Sequence, residues 1–169
     1  MKKIVFYVLL PLSLFAKDIE LPLIVLDAIK HSECLQEEGI CNPYFIRINR
    51  VKDIKKAKKL GFHLKHTYIL KCYDTSRCEA SAKKLISNGI KNIDIGPYQI
   101  NYFYHPTSNL AEYFEFNSAK LHAQKILSNL INKYGYNWVT LGRYHHYDPS
   151  DTSRNRNYYT KLYQYIYGI

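Results

Sequence analysis

Between residues 119 and 134, Ala119, Ala123, Ile126, Leu127, Leu130, Ile131 and Tyr134 recur with a period near 3.6. That spacing lines one face of an α-helix, and Gly135 follows as its stop. A helix with so apolar a stripe must bury it against other elements, which commits the chain to a packed domain. Shorter helical signals surround it. Pro22 suits a first helical turn, and Leu26, Ile29 and Glu33 fall at i, i+3 and i+7 on one face. Residues 51–61 read as a basic amphipathic helix in which Lys52, Lys55, Lys56, Lys58 and Lys59 surround Val51, Ile54 and Leu60, with Gly61 ending it. Ser76 and Glu79 form a capping box for a helix to about Asn88, stopped at Asn88-Gly89. Asn137 can cap a helix through Trp138 and Leu141 to about Tyr144, and Tyr159, Leu162, Tyr163 and Ile166 stripe a terminal helix. Phe62, Leu64, His66, Tyr68 and Leu70 alternate as in a strand, while residues 34–49, with Gly39 and Asn42-Pro43, read as irregular. The expected fold class is mainly α (α+β), one helical domain with a small β element and no internal repeat.

The amino terminus sets the expected compartment. Lys2 and Lys3 precede an apolar run from Ile4 to Phe15, and Ala16 precedes Lys17-Asp18. This is the pattern of a signal peptide over residues 1–16, and the run is too short for a membrane span of about 20 residues. Leu14 stands where a small residue is preferred, so an uncleaved amino-terminal anchor is the alternative. Loss of Lys2 and Lys3 takes the net charge from +10 to +8. A basic exported domain calls for an anionic partner, either a wall polymer or lipid headgroups, and export argues against nucleic acid. The 17 tyrosines offer flat faces with a hydroxyl, which suit sugars, although a compositional bias would produce them too.

Cys34, Cys41, Cys72 and Cys78 all lie beyond the signal. An even number in an exported chain reads as disulfides, and three pairings are open. Cys34–Cys41 with Cys72–Cys78 is the simplest; a crossed pairing would tie the Glu33 segment to the middle of the chain. The cysteines lack a C-x-x-C knuckle and the histidines lack H-E-x-x-H spacing, so neither a metal nor another cofactor is expected.

Three segments stand in a telling order. A helix ending in Glu33 precedes Asn42-Pro43-Tyr44. Next comes Leu85-Ile86-Ser87-Asn88-Gly89-Ile90-Lys91-Asn92-Ile93-Asp94-Ile95-Gly96-Pro97-Tyr98-Gln99-Ile100-Asn101. The long helix then leads to Tyr134-Gly135-Tyr136-Asn137-Trp138 and Gly142-Arg143-Tyr144. This order resembles the lysozyme-like SLT family of lytic transglycosylases, in the small form associated with type IV secretion, over roughly residues 19–147. The resemblance implies a periplasmic enzyme acting on peptidoglycan glycan strands, in the service of an envelope-spanning secretion or conjugation machine, with no stable membrane span after signal cleavage. It implies Glu33 as the catalytic acid/base, Gln99 as a glycan contact, and Tyr98, Asn101, Tyr144 and His145 about the substrate. The family's Ser after the glutamate is Cys34 here, and its Ala-Tyr-Asn is Arg143-Tyr144-His145; His146 has no family role.

The chemistry explains why one carboxyl group is enough. Ordinary glycosidases use two carboxylates. In a lytic transglycosylase the muramic N-acetyl group can stabilise the developing positive charge, and the ring's 6-hydroxyl attacks to give a 1,6-anhydro end. Such an acid must be protonated near neutral pH, and the end of an apolar helical stripe is a desolvating place. Glu37 and Glu38 are the alternatives for that role. Asp94 is either a loop brace or a second carboxylate, and the latter would permit hydrolysis as in a muramidase. A non-catalytic wall-binding module is the remaining reading.

Overall fold

The computed structural model describes residues 23–146 and 152–169. The expected signal peptide and the helix start at Pro22 lie outside the described residues. In chain order the elements are α1 (Leu23–Glu33), β1 (Leu35–Glu37), β2 (Ile40–Asn42), β3 (Phe45–Ile48), α2 (Val51–Lys59), β4 (Ile69–Lys71), α3 (Thr75–Ser87), β5 (Ile93–Ile95) and β6 (Ile100–Asn101). A 3-10 turn (Leu110–Tyr113), α4 (Phe116–Tyr134), α5 (Trp138–Gly142) and α6 (Thr152–Tyr167) complete them. The fold is mainly helical with a small antiparallel sheet, as the sequence implies.

The α4 stripe buries Ala119, Ala123, Leu127 and Ile131 completely or nearly so. Its two alanines leave room for neighbours, and α1, α5 and the 3-10 turn pack about it. Gly135 ends α4 with φ +78°, and the Asn137 side chain accepts from the Thr140 amide to cap α5. The five lysines of α2 form an exposed face.

The sheet runs in the order β4-β3-β5-β6, every pair antiparallel. Period-two alternation splits it into two faces. Ile46, Ile48, Ile93, Ile95 and Ile100 are buried in the main core. The other face carries Arg47, Asp94 and Asn101 in one cross-strand row.

Three local expectations are corrected. Residues 34–49 hold three short strands joined by a turn at Glu38-Gly39 and the link Pro43-Tyr44: β1 and β2 form a hairpin, and β3 lies within the sheet. The alternation over 62–70 yields only β4 at its end, because positive φ at His66 and Thr67 turns the chain sharply before Ile69. The α3 cap is Asp74, which accepts from the Arg77 amide at 2.8 Å, so the helix starts ahead of the Ser76–Glu79 box.

The cysteines pair as neighbours, Cys34 with Cys41 and Cys72 with Cys78. Disulfides mark chains that fold in an oxidising compartment. Among the described residues no helix is long and apolar enough to cross a membrane.

Candidate active site

Glu33 is the last residue of α1, on the face that buries Leu26 and Ile29, and is itself only 5% exposed. The Cys34 amide closes the helix on Lys30 O at 2.9 Å, and the Cys34–Cys41 disulfide pins the chain as it leaves. A carboxylate at a helix carboxyl end gains nothing from the helix dipole. Its counter-charge comes from the loop after α5, where His145 Nδ1 lies 2.9 Å from Glu33 Oε1. With the carboxylate ionised, Nδ1 carries the proton and donates. That hydrogen bond raises the proton affinity of His145 against the opposing effect of burial. The imidazole stacks flat on Tyr158 of α6, centroids 4.6 Å apart and planes 8° from parallel.

The pair opens onto a cleft of about 240 Å³ that Arg47, Arg154, Tyr158 and Lys161 also line. The Tyr158 hydroxyl is buried beside the Glu33 carboxylate, outside ideal hydrogen-bond geometry. Burial first, and the Glu33 charge second, hold its phenol protonated. Asp94 stands beside Arg47 in the sheet and accepts from Asn101 Nδ2 at 2.6 Å. Burial, opposed by neighbouring amides and reinforced by the Glu33 charge, raises its pKa.

The other expected site residues make hydrogen bonds or packing contacts within the fold. Asn101 spends its amide on Asn92, Asp94 and the Phe103 amide. Tyr98 is 2% exposed, so its ring packs inside; burial pushes its phenol up to about 12. Tyr144 donates to the Tyr98 carbonyl at 2.9 Å; its hydroxyl ties the end of α5 to the loop before β6 and makes no bond to Glu33. Gln99 turns inward, donating from Nε2 to Gly96 O at 2.9 Å while its Oε1 stays buried and unpartnered. Gly96 admits the close approach of backbone: a Cβ there would sit 1.7 Å from Tyr113 O. Gln99 and Gly96 both lie in the turn between β5 and β6.

The two alternatives to Glu33 are unlike it. Glu37 is a fixed anion held by Lys71, Asn42 and Lys65, its pKa lowered to about 2. Glu38 is exposed in the hairpin turn with φ +52°. Sequence reasoning passed over Arg47, Tyr158, Arg154 and Lys161. Arg47 had a faint signal, a charge inside Phe45-Ile46-Arg47-Ile48; the α6 residues reach the site only through tertiary packing. Among the described residues no group of three His, Cys, Asp or Glu side chains is placed to hold a metal ion. Compared with protein-family models, curated proteins and solved structures, the chain matches none.

Proposed function

We propose that the chain is a peptidoglycan lytic transglycosylase acting in the periplasm, with Glu33 as its acid/base. The observation that carries this reading is the hydrogen bond between buried Glu33 and the part-exposed His145 at the cleft. A glycosidic oxygen is a poor leaving group until it is protonated. The pair holds a proton in a partly desolvated site, and Glu33 passes it to the leaving oxygen of the GlcNAc unit. The muramic N-acetyl oxygen stabilises the anomeric carbon as the bond breaks. The 6-hydroxyl then attacks that carbon, and the carboxylate takes its proton, restoring the starting state with no water consumed.

Arg47 and the hydroxyl of Tyr158 hold the carboxylate's surroundings polar without adding a second anion. Asp94 is the residue on which a hydrolytic muramidase would depend. Its engagement by Asn101 occupies a carboxylate oxygen that such a base would need free. Purified sacculi treated with the protein are expected to release 1,6-anhydro-muropeptides, detected by mass spectrometry. Glu33→Gln should lower that release by about a hundredfold or more, the range typical of a lost acid/base group. Reducing-end products would convert the reading to a muramidase, and binding without release would convert it to a wall-binding module.

A further inference from the structure

Five of the nine residues of α2 are lysines, and the helical period gathers them on one side. Lys52, Lys55, Lys56 and Lys59 stand at i, i+3, i+4 and i+7, and Lys58 follows Lys55 at i+3. All five side chains are exposed. The one acid of the helix, Asp53, is buried on the opposite side with Ala57. Among the described residues none of the five lysines makes an ion pair. Like charges three and four residues apart repel, so this face weakens its own helix unless an anion covers it. The neighbouring chain adds charge rather than relieving it. Lys84 of α3 donates to the Leu60 carbonyl at 3.2 Å, at the carboxyl end of α2.

The amino-terminal end of this lysine row is apolar. Val51 lies on the same arc, with Lys55 at i+4 and Lys58 at i+7, and its side chain is exposed. Arg50 precedes the helix, and its guanidinium carbon sits 5.8 Å from the centre of the Phe103 ring. Phe103 meets Tyr104 edge to face at 5.1 Å. Both rings are exposed in the turn after β6, which Asn101 holds by accepting from the Phe103 amide. Clustered lysines are drawn to an anionic leaflet, and aromatic side chains settle at headgroup level beside them. Two features favour lipid over a wall polymer or an acidic protein. The side chains of Val51 and Phe103 have no polar atom with which to meet a glycan, whereas an acyl boundary accepts them. The charges of the row are lysine points rather than guanidinium forks, which suits a fluid array of phosphates that imposes no fixed geometry.

We propose that α2, with Arg50 and the Phe103-Tyr104 turn, is a docking surface for an anionic phospholipid membrane. Lipid phosphates neutralise the lysine row while Val51 and Phe103 leave water. The chain is then held at a membrane face by a surface rather than by a spanning helix, of which the described residues contain none. No residue of α2 is among the described residues that line the cleft beside Glu33. Docking is therefore separate in place from the candidate active site and independent of what Glu33 does.

The test is sedimentation of the full chain with vesicles of phosphatidylcholine alone, or of equal parts phosphatidylcholine and phosphatidylglycerol. Wild type is expected to bind the anionic vesicles about a hundredfold more tightly and to lose that margin as salt rises. A lysine near an anionic surface is worth about a fivefold factor, so Lys55→Gln with Lys59→Gln should weaken anionic binding about twentyfold. Lys52→Gln with Lys56→Gln should repeat that loss, with far-ultraviolet circular dichroism unchanged as the check on folding. Phe103→Ser should weaken binding too, which attraction to a polyanion alone would not show. Lys125→Gln with Lys133→Gln removes the same charge from α4 and should leave binding within about twofold of wild type. Equal binding to both kinds of vesicle, or equal losses from the α2 and α4 pairs, overturns the surface. A wild type that ignores vesicles but binds purified sacculi, and loses them with the α2 lysines, overturns it in favour of the wall polymer.

Discussion

Glu33 and His145 are each other's principal partner, and their coupling has a definite signature in pH. The carboxylate holds the imidazole proton above the ordinary histidine value of 6.5. A group whose folded pKa is raised contributes stability that is complete below its unfolded pKa and lost as pH rises through the folded one. The contribution of His145 is therefore complete below the ordinary histidine value and is lost as pH rises through its raised one. The His145 side chain is 38% exposed, and solvent screening limits the contribution to about 1 kcal/mol or less. His145→Gln is accordingly expected to lower urea stability near pH 6 and to converge on wild type as the solution is made alkaline. A difference that grows with pH would mean that the imidazole acts there as a neutral packing group. Stacking on Tyr158 alone would give no such dependence.

Elements differ in how much local sequence says about them. Gly96 and Gly39 both have positive φ, but their surroundings separate them. At Gly96 a side chain would collide with the Tyr113 backbone, while at Gly39 nothing lies within 4 Å. Gly39→Ala should cost only the conformational strain, about 1–2 kcal/mol. Gly96→Ala should cost about 3 kcal/mol or more, since the Tyr113 carbonyl has to move; guanidinium unfolding of the two variants measures both. The long helices were legible because their signal is contained within them: the Ala119–Ile131 stripe and the Asn137 cap need no outside information. The strands were not. Each is two to four residues long, too short for alternation to emerge, and Phe45 packs against Cys34 and Ile69 on the face that also carries Arg47. The site divides along the same line. Glu33 was legible as a charge on an apolar face. Arg47, Tyr158 and Lys161 were not, because β3 and α6 meet α1 only once the chain has folded.

On the scale of the whole molecule, α6 is both wall and keystone. Its Leu162 is fully buried, Tyr158 is 4% exposed beneath His145, and Asn155, with its amide nitrogen turned toward them, donates to the Gly142 and His146 carbonyls at 3.0 and 2.9 Å. Leu162→Ala should cost about 3 kcal/mol through the cavity it leaves, read from denaturant unfolding. The same variant should reduce glycan cleavage more than an equally destabilising change in α3, since α6 carries part of the cleft. The Glu33–His145 contact joins residues 112 positions apart, and α6 follows later still. Contacts of such long sequence separation form slowly, after loops of large entropy have closed. Glu33 and His145 therefore meet only when a loop of more than a hundred residues has closed, so a chain cut short before α5 carries the carboxylate without its partner.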